Sequence, residues 1–433
     1  MNDASPITLA GPAMAEPAFI PVSRSDIIQG LLSPDRWASE EERALAGDVL
    51  MKIGCLRQHK SSLLLNQLND LYDPFNPDDE TVNATEAPEM ERLEKRRVFN
   101  TKLKDLINSA NYHQLHEHEL EEILDKATPD GVHVEVDFKE YDVMLIFYRG
   151  AYDAERTRRD YRRLFLKKRP YSVPTFVRLF LAIKFKPDEI RIPELMKDYG
   201  LDEEKARKRL KKMRRMLPPA FSTDHIYLKI FKTIPRYDVE MLFPNIKVKM
   251  KYSDKVQLGG SALVGTAAWA VGTAAKLAVA VALSPMLLVG ALVTGVGGIM
   301  YAQVRNIFIT RDKYRMQLAQ SLYFQNLANN QGALALIVDD AEEEDVKEEA
   351  LLYTHLLRSP THGTQLDDLR GVINEFLKEK FGTTIAFDVH DALDRLRAQG
   401  LVQDSPTGEL RAMPLRDASR YLYDRWCGAL GTS

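Results

Sequence analysis

One stretch, residues 256–304, constrains the fold of this chain more than any other. It is rich in glycine, alanine, valine and leucine, and Lys276 is its only charged residue. A bilayer core about 30 Å thick needs roughly 20 mainly apolar residues per helix, so a run of this length suits two membrane-spanning helices. Pro285 fits the first turn of the second helix, where its missing N–H is no loss. The pattern predicts spans at 259–281 and 285–303.

Small residues and flanking charges add detail to this predicted hairpin. Small side chains recur four residues apart, as at Ser261 and Gly265, and this spacing lets helices pack closely in lipid or join copies of the chain into a homo-oligomer. In this interpretation Lys276 is a charged residue within the membrane, and its long aliphatic chain lets the ammonium group reach the lipid headgroups on the far side. Basic residues flank both ends of the run, so the positive-inside rule predicts both chain termini at the cytoplasmic face. A buried helical hairpin in a soluble protein and an apolar loop are the alternatives.

Composition narrows the class of protein further. A chain of 433 residues predicts two to three domains, and a formal net charge of −3 gives no general attraction to nucleic acid. Cys55 and Cys427 stand far apart, which favours neither a disulfide framework nor a zinc site. The first 20 residues lack both the pattern of a secretory signal and the arginines of a mitochondrial presequence. We therefore expect an integral membrane protein of a bacterial inner membrane, in contact with the lipid bilayer.

Hydrophobic periodicity divides the rest of the chain into regions. Alternating residues at 133–138 and an apolar run at 142–148 predict two adjacent strands in a hairpin. Helical spacing at 310–338 predicts a long helix that continues the second span. The predicted fold class is α+β, an integral membrane protein with a two-helix transmembrane hairpin. Its regions are a disordered N-terminus at 1–22, a helical region at 23–129, an α+β domain at 130–255, the transmembrane hairpin at 256–304, a long helix and an acidic helix at 305–360, and a winged-helix-like module at 361–433.

The C-terminal module takes its name from the predicted order helix, helix, β-hairpin, helix. Its candidate recognition helix carries three aspartates, among them Asp391 and Asp394, against Arg395 and Arg397. A helix that enters a groove lined with phosphates should be basic. The sequence therefore argues against DNA as a partner and predicts a protein-contact or structural role for this module.

Two basic clusters lie in the predicted α+β domain. Beside a bilayer each basic side chain contributes about 1 kcal/mol of attraction to an anionic leaflet, so anionic lipids are the predicted partner. A charged face in water, or pairing with acidic segments, is an equal alternative, and RNA is a third. The candidate residues are Arg158, Arg159, Arg162, Arg163, Lys205, Arg207, Lys208, Arg209, Lys211 and Lys212.

Four amide side chains stand where the spacing predicts the middle of a helix. Asparagine has poor helix propensity, so this grouping predicts a helix–helix or helix–sheet contact made by hydrogen bonds. Fraying of the helix before Gly332 is the alternative. The candidate polar-contact residues are Gln325, Asn326, Asn329 and Asn330.

Motifs of known enzyme chemistry are missing from the sequence. There is no phosphate-binding loop, no dinucleotide fingerprint, no nucleophile elbow and no zinc-protease motif. His113, His116 and Glu117 could meet on one helix turn, but no second ligand cluster accompanies them, so we predict no catalytic residue, metal or cofactor. The predicted function is that of a non-enzymatic, membrane-anchored scaffold or regulatory protein. A lipid-acting enzyme or lipid-transfer protein that uses the basic clusters is the alternative, and a pore of oligomerised hairpins is a third.

Three segments together resemble a known family. They are IYLKIFKTIPRYDVEMLFPNIKVKM at 226–250, the glycine-rich hairpin, and SLYFQNLANNQGAL at 321–334 followed by an acidic helix. With FYRG at 147–150, they are similar to the family of domain of unknown function 3754, which includes the mitochondrial transmembrane protein 143. The resemblance covers roughly residues 140–360 and implies a two-span membrane protein with soluble regions on both sides of the hairpin. It brings no established reaction, so it assigns no catalytic residue.

Overall fold

The structure is a computed structural model. It describes residues 19–78, 88–125, 132–159, 168–215, 217, 221–244, 246–250, 324–359, 361–362, 366–383, 385, 389–406, 409–429 and 431. The predicted spans at 259–281 and 285–303 lie outside these residues, together with Lys276 and the small-residue faces proposed for a homo-oligomer. Arg162 and Arg163 of the first basic cluster also lie outside them.

The described residues form ten α-helices, and local signals fix where several begin. Asp202 is the N-cap of one of them, because its carboxylate accepts a hydrogen bond from the Lys205 N–H at 2.8 Å. In chain order the helices are α1 (Arg24–Leu31), α2 (Glu40–Tyr72), α3 (Glu89–Ser109), α4 (Glu117–Asp125), α5 (Asp188–Tyr199), α6 (Glu203–Arg214), α7 (Asn330–Arg358), α8 (Leu366–Phe381), α9 (Val389–Ala398) and α10 (Leu415–Ala429).

Ten strands in the same part of the chain form three antiparallel sheets. The strands are β1 (His113–Gln114), β2 (Val132–Val136), β3 (Tyr141–Arg159), β4 (Lys168–Phe185), β5 (Tyr227–Pro235), β6 (Ile246–Met250), β7 (Asn326–Asn329), β8 (Thr361–His362), β9 (Val402–Asp404) and β10 (Glu409–Ala412). The main sheet has the order β1-β3-β4-β5-β7, and the others are β8-β10-β9 and β2-β6.

Both faces of the main sheet are buried. Phe147 and Phe180 join a core with α2, α3 and the first half of α7. Ile146 and Leu181, their neighbours in the strands, join a second core with α4 on the opposite face. Because successive residues of a strand point to opposite faces, a strand covered on both sides reads as a continuous apolar run, which is the pattern at 142–148.

Helix α7 is the central element of the described chain. It packs against α1, α2, α3, α8 and α9 and against strands β5, β7 and β10. Twenty of its 29 residues are buried, and a helix buried on every side belongs in the interior of a protein. Its first half completes the core between the main sheet and α3, and its second half completes a core with α1 and the C-terminal elements.

The C-terminal elements α8, α9, β9, β10 and α10 follow one another as helix, helix, hairpin and helix. Strand β8 pairs with β10 and makes the hairpin a three-stranded sheet. Gly400 ends the turn after α9 with a φ of +77°, and a Cβ there would lie 2.7 Å from the Tyr421 hydroxyl, so glycine fits both the backbone and the space.

Within the described residues, the predicted fold class of an integral membrane protein is wrong. No helix there is both long and apolar enough to cross a membrane. The helices that reach 18 residues, α2, α3 and α7, carry many charged side chains, each of which would cost roughly 3 kcal/mol at the centre of a bilayer. The predicted inner-membrane location fails with it, and the described fold is mixed α+β.

Two local predictions are also wrong. Residues 133–138 and 142–148 do not form a hairpin, since β2 pairs with β6 while β3 pairs with β1 and β4. The helix predicted over 310–338 is interrupted by β7, because the open edge of β5 offers backbone partners to asparagines that favour helices poorly. The acidic residues then lie inside α7 and not in a separate helix.

Candidate functional site

The segment that leads into α7 contains the four predicted polar-contact residues, and we name it the asparagine segment: Gln325, Asn326, Asn329 and Asn330. Asn326 and Asn329 belong to β7 and the other two adjoin it, and this strand pairs antiparallel with β5 and sets Asn329 opposite Lys229. The Gln325 amide donates to the Thr233 carbonyl at 3.1 Å, and the Lys229 ammonium donates to the Asn329 amide oxygen at 3.0 Å. The segment therefore makes its contacts with the edge of the main sheet.

Asn330 is the most connected residue of the asparagine segment. Its φ of +48° lies in the left-handed region, which asparagine tolerates better than most residues. Its buried amide oxygen accepts from the Leu228 N–H at 3.1 Å and lies 3.2 Å from the Tyr72 hydroxyl. Its amide nitrogen donates to Asp78 at 2.5 Å. One side chain thus joins β5, the end of α2 and the start of α7.

A cavity of about 360 Å³ lies beside Asn329 and Asn330. This volume is within the range of ligand-binding sites in proteins. Polar groups stand at the cavity from Asp78, Lys229 and the two asparagines. The rest of the lining is mainly apolar and includes Ile183, Phe185, Leu217, Phe221, Leu242 and Pro244.

Lys229 is the cation of this cavity. Its side chain is half-buried, and burial lowers the pKa of the ammonium group while the nearby Asp78 carboxylate opposes that shift. Among the described carboxylates none forms an ion pair with Lys229, and Asp78 itself accepts from Asn330. The ammonium group is therefore held by an amide oxygen and not by a negative charge.

Farther along α7, residues 339–349 form what we name the acidic segment. On the side of the main sheet, Arg149 of β3 lies 3.2 Å from the Asp340 carboxylate and 3.0 Å from that of Glu344. Arg178 of β4 pairs with Asp340 as well. Buried carboxylates require such partners, because an unpaired charge loses its hydration on burial.

A short segment outside any helix or strand, residues 19–22, lies against the same charged groups, and we name it the N-terminal strap. The Ile20 N–H donates to the Glu344 carboxylate at 2.5 Å. The buried Lys347 ammonium donates to the Ile20 carbonyl at 2.8 Å and lies 3.0 Å from Glu344. Backbone groups of the strap thus complete the coordination of two buried charges on α7.

Phe19 of the N-terminal strap contacts the last two residues of the FYRG sequence at 147–150, Arg149 and Gly150. The Arg149 guanidinium lies 4.6 Å from the centre of the Phe19 ring. Gly150 has a φ of +68°, and a Cβ at this position would lie 2.7 Å from a Phe19 ring carbon. Glycine is therefore required both by the backbone and by the ring that packs on it.

On the opposite side of α7, two arginines meet three carboxylates of the acidic segment. Arg57 of α2 lies 3.3 Å from Asp345 and also pairs with Glu349. Arg395 of α9 lies 3.3 Å from Asp345 and also pairs with Glu348. The candidate recognition helix of the winged-helix-like module therefore uses its first arginine to bind α7.

Burial changes the proton affinity of two side chains on this side of α7. Burial and the neighbouring Glu344 and Asp345 carboxylates raise the pKa of Glu348 to about 8, against the opposing effect of Arg395. Burial lowers the pKa of His355 to about 4. These groups lie in the interior and take part in packing, so their protonation affects stability.

Five of the six α6 members of the basic clusters are exposed, Arg209 is half-buried, and part of their charge is neutralised. Arg209 stacks its guanidinium 3.8 Å from the centre of the Tyr199 ring. Lys211 and Lys212 are exposed, and the described residues offer them no ion pair. The other three cations form ion pairs along the helix: Lys205 with Asp202 at 2.7 Å, Arg207 with Glu203 at 2.8 Å and Lys208 with Glu204 at 2.6 Å.

The first basic cluster lies where β3 ends. Arg158 and Arg159 stand opposite Arg169 and Lys168 of β4 in the register of the sheet. Anionic-lipid binding by either cluster stays a prediction.

Sequence reasoning missed the charged groups that matter most here. They are Lys229 and Asp78 at the cavity and Arg57, Arg149 and Arg178 at the acidic segment. One signal was available, because apolar residues flank the acidic segment on both sides and cover every face of the helix. Such a helix must be buried all round, and its carboxylates then need cations.

Comparison with known proteins gives a family and no activity. The family described as "Protein of unknown function (DUF3754)" matches residues 141–332. The match includes strands β3, β4, β5 and β7 of the main sheet and the asparagine segment, and it ends before the acidic segment. No solved structure matches the chain.

Proposed function

We propose that this protein, whose residues 141–332 belong to the DUF3754 family, is a non-enzymatic scaffold or regulatory protein. In this proposal α7 holds the winged-helix-like module in one orientation on the main sheet. The observation that carries it is the convergence of arginines on the acidic segment, from α2, from β3 and β4, and from α9.

A role in fixing orientation explains buried ion pairs better than a gain in stability does. Bringing both charges out of water offsets most of their attraction, so replacing a whole pair by apolar groups is often neutral. Removing one partner is different, because it leaves a buried charge without compensation. Ion pairs of this kind are satisfied in one arrangement only. They therefore support a molecule whose parts must keep a fixed orientation.

Hydrogen exchange on the full chain tests the proposal with the variant Arg395→Met. Arg395 belongs to α9 and is the module's link to the acidic segment. If α7 holds the module and the main sheet in one arrangement, loosening the module should also loosen the sheet. Amides of β3 and β4 should then exchange faster in this variant, although the substitution lies outside the main sheet.

Arg397→Met is the matched control, because Arg397 lies on the same helix and pairs with the exposed Asp404 at 2.7 Å. It should leave exchange in the main sheet unchanged. Faster exchange confined to α9 and its hairpin in Arg395→Met would contradict the proposal, since the module would then move without the sheet.

The alternative function, lipid binding through the basic clusters, has less support because three of the six α6 candidates are already paired. The α6 cations that remain able to bind lipid include Lys211 and Lys212. Flotation with vesicles that contain anionic lipid tests it, and the double variant Lys211→Glu, Lys212→Glu should reduce the bound fraction if this surface contacts lipid. Equal flotation of both proteins removes this alternative for α6.

A further inference from the structure

The cavity at the start of α7 is separate from the buried charges on which the scaffold proposal rests. It lies on the face of the main sheet that carries Tyr227 and Lys229, and it is lined by β4, β5, the asparagine segment and the loops after α2 and α6. None of its charged groups pairs with the acidic segment in the described structure. Its chemistry therefore needs an explanation of its own.

Aromatic rings form the apolar part of the cavity. The Phe185 and Phe221 rings meet edge to face with their centres 4.7 Å apart. The Phe221 and Tyr227 rings are nearly parallel at 5.8 Å. The Tyr227 hydroxyl accepts from the Ser222 N–H at 2.9 Å, so its polar end is already used. Rings packed against one another in this way present a firm apolar wall to a ligand.

The polar part of the cavity contains Lys229, a cation that forms no ion pair with a described carboxylate. The Lys229 ammonium reaches only the Asn329 amide oxygen among described side chains, at 3.0 Å. An anionic group that entered the cavity would take the position of a counterion and restore favourable charge pairing in a partly dry site.

The same end of the cavity limits how much negative charge the ligand can bring. Asp78 also lines the cavity, and its carboxylate would repel an anion at short range. A single negative charge suits one lysine beside one aspartate better than the double charge of a phosphate monoester. The amide groups of Asn329 and Asn330 add hydrogen-bonding capacity that a carboxylate can use.

We propose that this cavity binds a small amphipathic carboxylate, with its apolar chain against Phe185, Phe221 and Leu242 and its carboxylate on Lys229. The proposal goes beyond the scaffold function and does not depend on it. The ligand class is a free monocarboxylic acid with an aliphatic or aromatic body.

Isothermal titration calorimetry of the full chain with octanoate tests the proposal. We expect one octanoate to bind per chain. Lys229→Met, which keeps the length of the side chain and removes its charge, should weaken binding at least tenfold. Lys229→Arg should retain most of it. Lys211→Met removes an exposed lysine of α6 and serves as the matched control, with unchanged binding.

Three further probes, used on the wild-type protein, separate the possible chemistries. Octylamine and octanol carry the same chain with a positive or a neutral head, and both should bind at least tenfold more weakly than octanoate. Octyl phosphate should also bind more weakly, because of Asp78. This comparison needs no variant, so it decides the role of charge even if Lys229→Met fails to fold.

Several results would overturn the proposal. The proposal fails if octanoate binds neither the wild type nor Lys229→Arg, if octylamine binds as tightly as octanoate, or if Lys229→Met binds octanoate with wild-type affinity. Leu242→Trp, which fills the apolar part, should abolish binding while the circular dichroism spectrum stays that of the folded protein. Undiminished octanoate binding by this variant would place the ligand elsewhere and would also overturn the proposal.

Discussion

Helix α6 and the acidic segment of α7 look alike in the sequence, since each is a dense run of charge, yet they lie in opposite environments. On α6 the cations Lys205, Arg207 and Lys208 are exposed and pair with carboxylates three or four residues earlier in the chain. In the acidic segment five of the eight carboxylates are buried, and Asp340, Glu344 and Glu349 pair with arginines from distant parts of the chain. The difference between them lies in where the partner comes from.

The comparison teaches how charge contributes to this fold. Ion pairs in water between neighbours on one helix have little effect on stability and carry no information about tertiary structure. Ion pairs between distant segments in the interior are costly to break and are possible only in the native arrangement. The same residue types therefore serve solubility on α6 and assembly on α7.

The largest expected effect comes from removing a buried partner. Arg149→Met leaves Asp340 and Glu344 without their shared cation and also removes the contact with Phe19. We expect it to lower the free energy of unfolding by about 3–5 kcal/mol, measured by urea denaturation. A loss below about 1 kcal/mol would mean that the buried and exposed pairs are equivalent, and the comparison would break.

The second prediction concerns Asn330, a buried residue that carries no charge. Asn330→Ala loses the hydrogen bonds to Leu228 and Asp78 and leaves a Cβ in the left-handed region, so it should cost about 3 kcal/mol. Asn330→Gly loses the same bonds but accepts the backbone conformation, and should cost about 2 kcal/mol. Thermal or urea denaturation of both variants separates the two contributions. Equal losses would show that the positive φ carries no strain.

The third prediction uses pH to separate the two regions. The Glu348 carboxyl has a pKa of about 8 in the folded protein against 4.5 in its ordinary state, so between these values the folded protein holds a proton that the unfolded chain releases. Its contribution to stability therefore falls as pH rises through this window. The stability of Glu348→Gln relative to the wild type should therefore rise between pH 5 and pH 8, by roughly 3 kcal/mol.

Urea denaturation of both proteins at the two pH values measures this difference. The lowered pKa of His355 acts between about 4 and 6.5 in both proteins and cancels in the comparison. Glu203→Gln on α6 is the control and should show the same pH dependence as the wild type. Parallel stability curves for Glu348→Gln and the wild type would contradict the assigned proton affinity.

The smallest effect is expected on α6 itself. Arg207→Met removes one exposed ion pair with Glu203, and its unfolding midpoint should be indistinguishable from that of the wild type in moderate salt. The same urea titration used for Arg149→Met measures both. A clear loss of stability here would show that an exposed ion pair on α6 contributes as much as a buried one.

Much of the fold could be predicted from local patterns. The apolar spacing of α2, the cap at Asp202 and the turn at Gly400 are determined by nearby residues, so the sequence alone indicates them. Strand β7 could not be found in this way, because its residues pair with β5 across about a hundred positions of the chain. Its formation depends on an open sheet edge that no local pattern reveals.

The candidate site was predicted in part, for the same reason. The asparagine segment stood out because amides are unusual in a helical pattern. Lys229 did not, since one lysine in an alternating strand looks like any exposed residue until the cavity beside it is known. The acidic segment was recognised as charged, but its burial depends on arginines such as Arg57 and Arg178, far away in the sequence.

The N-terminal strap has a consequence for how the protein is made. The side chains that bind its backbone belong to Glu344 and Lys347, which leave the ribosome more than 300 residues after Ile20. The strap and α1 must therefore wait, with their apolar side chains uncovered, until α7 has been synthesised. Contacts this distant in sequence slow folding and prolong the exposure of apolar surfaces that can aggregate. Ribosome-bound chains that stop before α7 should consequently recruit chaperones, and those that extend past it should release them.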